Sequence, residues 1–348
     1  MTDTLHTKEE TPSRHSAGHT GDHRVKPIRR KRRPLRVALI TLGSFLCLVI
    51  VIGASGYAFV NHTMGNIQRI SVGGLVTAAN PSTLDGQTFL IAAAPFGPTG
   101  TSTEAAAQSQ ESNLIMLLHT NANGTGGGAL SFPGNLLVNV PNVGIEPLWD
   151  ALADGGPSVL VKTVTQLTGL SIQHYARLDF NHISGLVNAI GGVTVTVPAA
   201  TEGFGYNFVK GSNNLTGVTA IYYARDTTLS DQDRLLRQEN LVRAVISKIA
   251  DDHLLTNPVT MVHVLNALTS MLAVDSSFTN SDIESLATQF GSLAADAATF
   301  VTVPTETAGT NQTLNPALDN QLWTAVKDDS IAAFATSNPS TVTPQAAP

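Results

Sequence analysis

Residues 37–60 constrain this chain more than any other stretch, because these 24 residues include no charged side chain. As a helix the run would be roughly 36 Å long, enough to cross a hydrocarbon layer of about 30 Å with some tilt. Just before it, Arg24, Lys26, Arg29, Arg30, Lys31, Arg32, Arg33 and Arg36 form a polybasic block. Alone, such a block suggests nuclear targeting or nucleic-acid contact. Set against an apolar span, it reads instead as the positive flank that stays on the inner side. A cleaved leader would have a shorter apolar run and a shorter basic region. The expected organisation is a disordered basic cytoplasmic tail over 1–36, a transmembrane helix over 37–60 and a connector over 61–86. An outer domain over 87–335 follows, then a disordered Pro/Ser/Thr/Ala tail over 336–348. The expected location is the plasma membrane, crossed once.

Charge separates along the same boundaries. Residues 1–36 carry ten Lys/Arg against four Asp/Glu, whereas the remainder carries ten against twenty-two. Cys47 is the single cysteine, so a disulfide-stapled scaffold is excluded. Of the later basic residues, Arg225, Arg234, Arg237 and Arg243 fall inside one 19-residue window. An acidic domain that concentrates its arginines in this way points to an anion. Ser230 or Asp231 can cap a helix there, since a short side-chain oxygen accepts the orphan N–H groups of a first turn. Arg234, Arg237 and Gln238 then share its first two turns. Guanidinium forks beside open backbone N–H groups suit phosphate oxygens. The same spacing also fits a solvated helix whose arginines pair with Asp231, Asp233 and Glu239, and spacing alone leaves both readings open.

The outer domain alternates strand-like and helix-like runs. Strands are expected over 67–72, 88–94, 113–119, 129–133, 175–180, 193–197 and 299–303. Helices are expected over 159–167, 182–189, 259–271 and 280–293, besides the arginine helix. The Gly-rich stretch 121–128 lacks the Lys-Ser/Thr end of a phosphate loop and sits between two strand-like runs, so it reads as a hairpin turn. Together these predict an α/β fold: a mixed central sheet flanked by helices in an α/β/α sandwich. A serine hydrolase does not fit, because Ser112, Ser131 and Ser230 have no elbow or Ser-x-x-Lys context.

Several motifs, taken in order, resemble one family. They are Ser-Asn-Leu-Ile-Met-Leu-Leu-His at 112–119, Leu-Ser-Phe-Pro at 130–133 and Leu-Asp-Phe at 178–180. Val-Asn-Ala-Ile-Gly-Gly-Val-Thr-Val-Thr-Val-Pro at 187–198 follows, and then Arg225…Asp231-x-x-Arg234-x-x-Arg237-Gln238. Over residues 88–254 the chain looks like the LytR-CpsA-Psr family of Gram-positive cell-envelope proteins. The resemblance implies a membrane-anchored phosphotransferase of cell wall biogenesis. Such an enzyme moves a glycopolymer from a polyprenyl-pyrophosphate carrier to peptidoglycan or another wall acceptor, and touches no nucleic acid. It implies that Arg225, Arg234 and Gln238 hold the pyrophosphate, that Asp231 and Arg237 complete the catalytic group, and that Mg²⁺ or Mn²⁺ assists.

The carry-over is partial. The family's second arginine of Arg-x-Arg is Thr227 here, and its Pro-Arg-Asp is Pro133-Gly134-Asn135. The metal-binding aspartate position is Asn113, which brings no charge to balance a magnesium ion. Pro95 stands where a second aspartate is expected, and Glu111 or Asp150 are the substitutes at hand. Two function classes follow: a transferase with reduced or altered catalysis, or a non-catalytic polyprenyl-phosphate or glycan binder that serves as regulator or assembly partner. Transcriptional attenuation is the weakest reading, because the inner tail is too polar to fold as a DNA-binding domain.

Overall fold

The computed structural model describes residues 62–78, 85–93, 114–124, 126–226, 228–252, 257–283, 285 and 298–347. The expected basic tail, the span over 37–60 and Asn113 lie outside these residues. No helix among the described residues is long and apolar enough to cross a membrane. In chain order the main elements are β1 (Gln68–Ile70), β2 (Thr88–Ala93), β3 (Ile115–Thr120), β4 (Gly127–Phe132), β5 (Leu137–Val140), β6 (Gly144–Pro147) and α1 (Leu148–Thr168). Then come β7 (His174–Leu178), α2 (Ile183–Ala189), β8 (Val193–Val197), β9 (Thr201–Gly203), β10 (Tyr206–Phe208), β11 (Gly211–Leu215), α3 (Gly217–Ala224) and α4 (Asp231–Asp251). The last are α5 (Pro258–Met271), β12 (Leu272–Asp275), β13 (Ala298–Thr302), β14 (Thr305–Ala308), β15 (Asn311–Leu314), α6 (Asp319–Lys327) and α7 (Ile331–Ser337).

Seven strands form one sheet in the order β1-β12-β7-β2-β3-β4-β13. The pairs β1/β12, β2/β7 and β4/β13 are parallel, and the other three are antiparallel, so the sheet is mixed as expected. The Gly-rich stretch after β3 is indeed a hairpin connection, with Asn121 and Gly126 closing it across a 3.2 Å hydrogen bond. Gly124 and Gly126 there adopt left-handed φ values of 68° and 98°, which a side chain would oppose.

Side chains alternate across the sheet with a period of two, and this splits the core. Leu90, Ala92, Leu117, Leu130 and Phe132 face one side, where α1, α6 and α7 cover them with Leu160, Val164, Trp323 and Phe334. Phe132 and Trp323 stack with ring centroids 5.9 Å apart. Ala93, Met116 and Ala129 face the other side, packed under Val187 of α2, Tyr223 of α3, Leu241 and Val245 of α4 and Val264 of α5. Two helical layers thus enclose one sheet. The expected helix over 159–167 is the second half of α1, which is interrupted at Gly156 (φ 69°, ψ −172°) just before Pro157.

The expected disorder over 336–348 is a point where the structure corrects the sequence. Residues up to 337 complete α7, and Thr341 and Thr343 are buried. Val342 bridges Val301, Ala346 bridges Thr196, and the Thr343 N–H donates to the Phe300 carbonyl at 3.1 Å. Arg243 of α4 donates to the carbonyls of Thr343 (3.0 Å) and Pro344 (3.2 Å), with its guanidinium 4.5 Å from the Phe300 ring centre. A polar composition reads as solvated, but here sheet edge and arginine satisfy the backbone groups.

This strap also closes over Glu239, which is fully buried. Burial pushes the Glu239 carboxyl pKa up, against hydrogen bonds from Ser131, Thr343 and Thr302 and the Arg243 charge. A carboxyl whose folded pKa is raised contributes stability that is complete below its unfolded pKa and is lost as pH rises through the folded one. Glu239→Gln is therefore expected to melt a few degrees above the wild type at pH 8, at about 2–4 °C per kcal/mol for a domain of this size. The gap should close as the pH approaches 4. Thermal melts across that range check it, and a gap that does not narrow on acidification would refute it.

Candidate functional site

The arginine window folds into a knot beside the carboxyl end of β7. After Leu178 the chain turns tightly through Asp179 and Asn181. The buried Asp179 accepts the Asn181 N–H at 2.9 Å, and its other oxygen lies 3.2 Å from His182 Nδ1. Asn181 Oδ1 in turn accepts from Arg225 Nη1 at 2.5 Å. Arg225 ends α3, whose first turn is closed by a reciprocal Thr216–Thr219 capping box. The arginine is thus held at the end of the strand while remaining partly exposed.

Helix α4 opens as its sequence predicts. Ser230 Oγ accepts the Asp233 N–H at 3.1 Å and donates to Asp233 Oδ2 at 2.7 Å, so Ser230 is the cap. Asp231 is the first helical residue, and its side chain lies outside the described groups. Arg234 sits in the first turn, with only 6 % of its surface exposed.

Arg237 and Gln238, expected to meet a ligand, are placed otherwise: neither has any exposed surface. Arg237 Nη1 donates to Asp226 Oδ2 at 3.2 Å and Nη2 to Thr201 Oγ1 at 2.6 Å. Its guanidinium lies 5.1 Å from the Phe208 ring centre and 4.9 Å from that of Tyr223. Burial lowers the Arg237 pKa while Tyr223 and Asp226 act to raise it. Burial also pushes the Tyr223 phenol up to about 12. Gln238 Nε2 donates to the Ala224 carbonyl at 3.0 Å, one of the acceptors that a helix end leaves open. Both residues therefore tie α4 to the end of α3 and set where Arg225 and Arg234 stand.

Asp226, Thr201 and Asn181 are neighbours of these arginines that the sequence does not single out, whereas Asp179 lies within the Leu-Asp-Phe motif at 178–180. Asp226 is 1 % exposed and takes the Thr228 N–H (3.0 Å) and hydroxyl (2.6 Å) on the oxygen that does not face Arg237. Gly203 makes room for it, since a Cβ there would stand 2.6 Å from Asp226 Oδ2. The one available signal was adjacency: Asp226 directly follows Arg225.

Asn113, Pro95 and Glu111, the positions the family pattern assigns to a metal or its substitutes, lie outside the described residues. Among the described residues, no group of three or more His, Cys, Asp or Glu is able to hold a metal. Asp179 and Asp226, the carboxylates beside Arg225, are buried and hydrogen-bonded to protein groups. Asp150 lies in α1, where burial together with Asp154 and Glu146 raises its pKa. The Pro133-Gly134-Asn135 turn is likewise committed to structure, with Asn135 Nδ2 donating to the Thr310 carbonyl at 3.0 Å.

The LytR_cpsA_psr family model matches residues 76–336, which takes in every strand of the sheet except β1, both helical layers and the arginine knot. The chain belongs to the LytR-CpsA-Psr family. Among curated relatives, the cell wall biosynthesis protein LcpA of Corynebacterium glutamicum is 32 % identical over 43 % of this chain and 30 % of its own length. The polyisoprenyl-teichoic acid–peptidoglycan teichoic acid transferase TagU of Oceanobacillus iheyensis is 32 % identical over 40 % of this chain and 46 % of its own. The chain thus spans less than half the length of these relatives. Among solved structures, a LytR-Csp2A-Psr enzyme from Actinomyces oris superposes with a TM-score of 0.59 at 19 % identity, covering 75 % of this chain and 96 % of that one. TagT bound to LIIa-WTA superposes at 0.57 and 19 % identity, over 75 % and 99 % respectively. These structural likenesses establish a shared LytR-CpsA-Psr fold.

Proposed function

We propose that this protein binds a polyprenyl-pyrophosphate-linked glycopolymer at the arginine knot and transfers the glycopolymer to a wall acceptor, with chemistry slower than its family's pattern allows. The observation that carries this is Arg225, fixed at the end of β7 by Asn181, beside a capped helix start bearing Arg234. Fixed positive groups stabilise charge that develops on phosphate oxygens without needing to reorganise. In the transfer, an acceptor hydroxyl oxygen bonds to the sugar-linked phosphorus while the bond from that phosphorus to the bridging oxygen breaks. Polyprenyl phosphate leaves, and the hydroxyl proton passes to solvent. Teichoic acid and peptidoglycan, in the names of the TagU and TagT relatives, support a wall glycopolymer and a wall acceptor as the two partners. The anchor is the uncharged stretch over 37–60, which leaves 1–36 in the cytoplasm and the α/β domain outside.

Reduced catalysis follows from Thr227, Asn113, Gly134 and Asn135, each of which stands where the family pattern has a charged residue. The same substitutions favour the second reading, a binder of carrier phosphate that does not turn it over. Magnesium or manganese belongs to the first reading only. The test titrates the full chain with a short-chain polyprenyl pyrophosphate, with and without Mg²⁺ or Mn²⁺, and assays phosphate release in the same samples. Metal-dependent binding with turnover is the transferase outcome. Binding indifferent to metal and without turnover is the binder outcome, and no binding in either condition overturns both.

A further inference from the structure

At the other ends of the same strands, where β2 and β7 begin and β12 ends, lies a cavity of about 290 Å³. The five residues of β7 separate it from the arginine knot by about 15 Å. Its chemistry is built around His174 and Asp275. Asp275 is 1 % exposed, and both of its oxygens are engaged. Oδ2 accepts from His174 Nδ1 and the Tyr175 N–H, each at 3.1 Å. Oδ1 accepts the N–H groups of Ser277 (2.8 Å) and Phe278 (3.1 Å) and the Ser277 hydroxyl. Burial opposes charge on Asp275, but the hydrogen bonds from His174, Ser277 and Tyr175 outweigh it and hold the pKa below the usual carboxylate range. An ionised partner makes Nδ1 the donor, so in the neutral ring Nε2 carries the lone pair. The ring cannot readily turn away, being stacked on Phe89 at 5.2 Å and tilted against Phe278 at 4.7 Å.

The lining narrows the ligand class. Among the described residues it includes no lysine or arginine, which disfavours phosphate and other anions. A cation would find little here: Asp275 is saturated, and Asp282, whose Oδ2 already takes the N–H and hydroxyl of Thr279, offers one remaining oxygen, fewer than a divalent cation needs. What remains is neutral and amphipathic: hydroxyls of Thr77 and Ser276, the Gln173 amide, and the apolar sides of Val72 and Leu75. Gln173 Oε1 accepts the Thr88 N–H at 2.8 Å, which orients its amide. The volume lies at the small end of ligand pockets, about 300–1,000 Å³, and suits one ring rather than a chain.

We propose that this cavity binds a single neutral sugar ring, with one ring hydroxyl donating to His174 Nε2 and the C–H face against Val72 and Leu75. The site is separate from the carrier site and does not depend on that reading. Its test is saturation-transfer NMR of the full chain with two probes, N-acetylglucosamine and methyl glucoside, which differ in the acetamido group. Thr77→Trp blocks the exposed rim without touching the core. His174→Asn keeps a donor toward Asp275 while deleting the Nε2 acceptor. Saturable binding of at least one sugar, weakened tenfold or more by each variant and unchanged in Arg234→Ala, is the expected result. If His174→Asn does not fold, Thr77→Trp decides alone. No saturable binding of either sugar to the wild type, or undiminished binding in a folded variant of either position, overturns the proposal. Loss of sugar binding in a folded Arg234→Ala protein overturns it as well.

Discussion

Arg237→Met is expected to destabilise the domain by about 3–5 kcal/mol, the range for removing one partner of a buried ion pair. Methionine fills much of the space between the Phe208 and Tyr223 rings, so packing is largely kept. What it cannot do is neutralise Asp226, which would be left 1 % exposed with only the Thr228 groups for company. The pair is not itself a large source of stability, since desolvation offsets most of its attraction. Adding Asp226→Asn to Arg237→Met should therefore recover most of the loss. Urea unfolding of the wild type and both variants checks this. A single variant as stable as the wild type would show that Asp226 finds another partner, and the positioning role assigned to Arg237 would fall.

The second large effect concerns chemistry rather than stability. Arg234→Ala is expected to cost about 10³-fold in any turnover of a polyprenyl-pyrophosphate substrate, the low end of what a single transition-state arginine supplies. Carrier affinity should fall at least tenfold even where no turnover occurs. Arg225→Ala should act in the same direction but less, because this side chain is partly exposed and shares its guanidinium with Asn181. Arg234→Lys separates charge from shape, since lysine restores the charge but not the bidentate fork. Initial rates and carrier dissociation constants on proteins matched for melting temperature give the answer. Wild-type behaviour of a well-folded Arg234→Ala chain would remove the anion site from the arginine knot.

What the sequence determined by itself is whatever depends on near neighbours. The short apolar runs of β2, β3 and β4, the alternation of β8, and the Ser230 start of α4 are local patterns, and each was legible within a residue or two. The hairpin after β3 was legible for the same reason, since its glycines answer to backbone angles. The resemblance to the LytR-CpsA-Psr family was legible because motifs keep their order whatever the packing. The pairing of polar groups was not. Arg237 meets Asp226 across a chain reversal, and His174 meets Asp275 from about a hundred residues away. The small pairs β5/β6, β9/β10 and β14/β15 are not legible either, because strands of three or four residues carry too little periodicity. The strap over 341–347 looked disordered because its composition is polar, yet Arg243 and the edge of β13 satisfy its backbone. Only the tertiary structure could decide that Arg237 is fully buried against Asp226 while Arg225 stays partly exposed. An arginine in a helix turn reads the same either way, and its role depends on the acid that the fold brings to it.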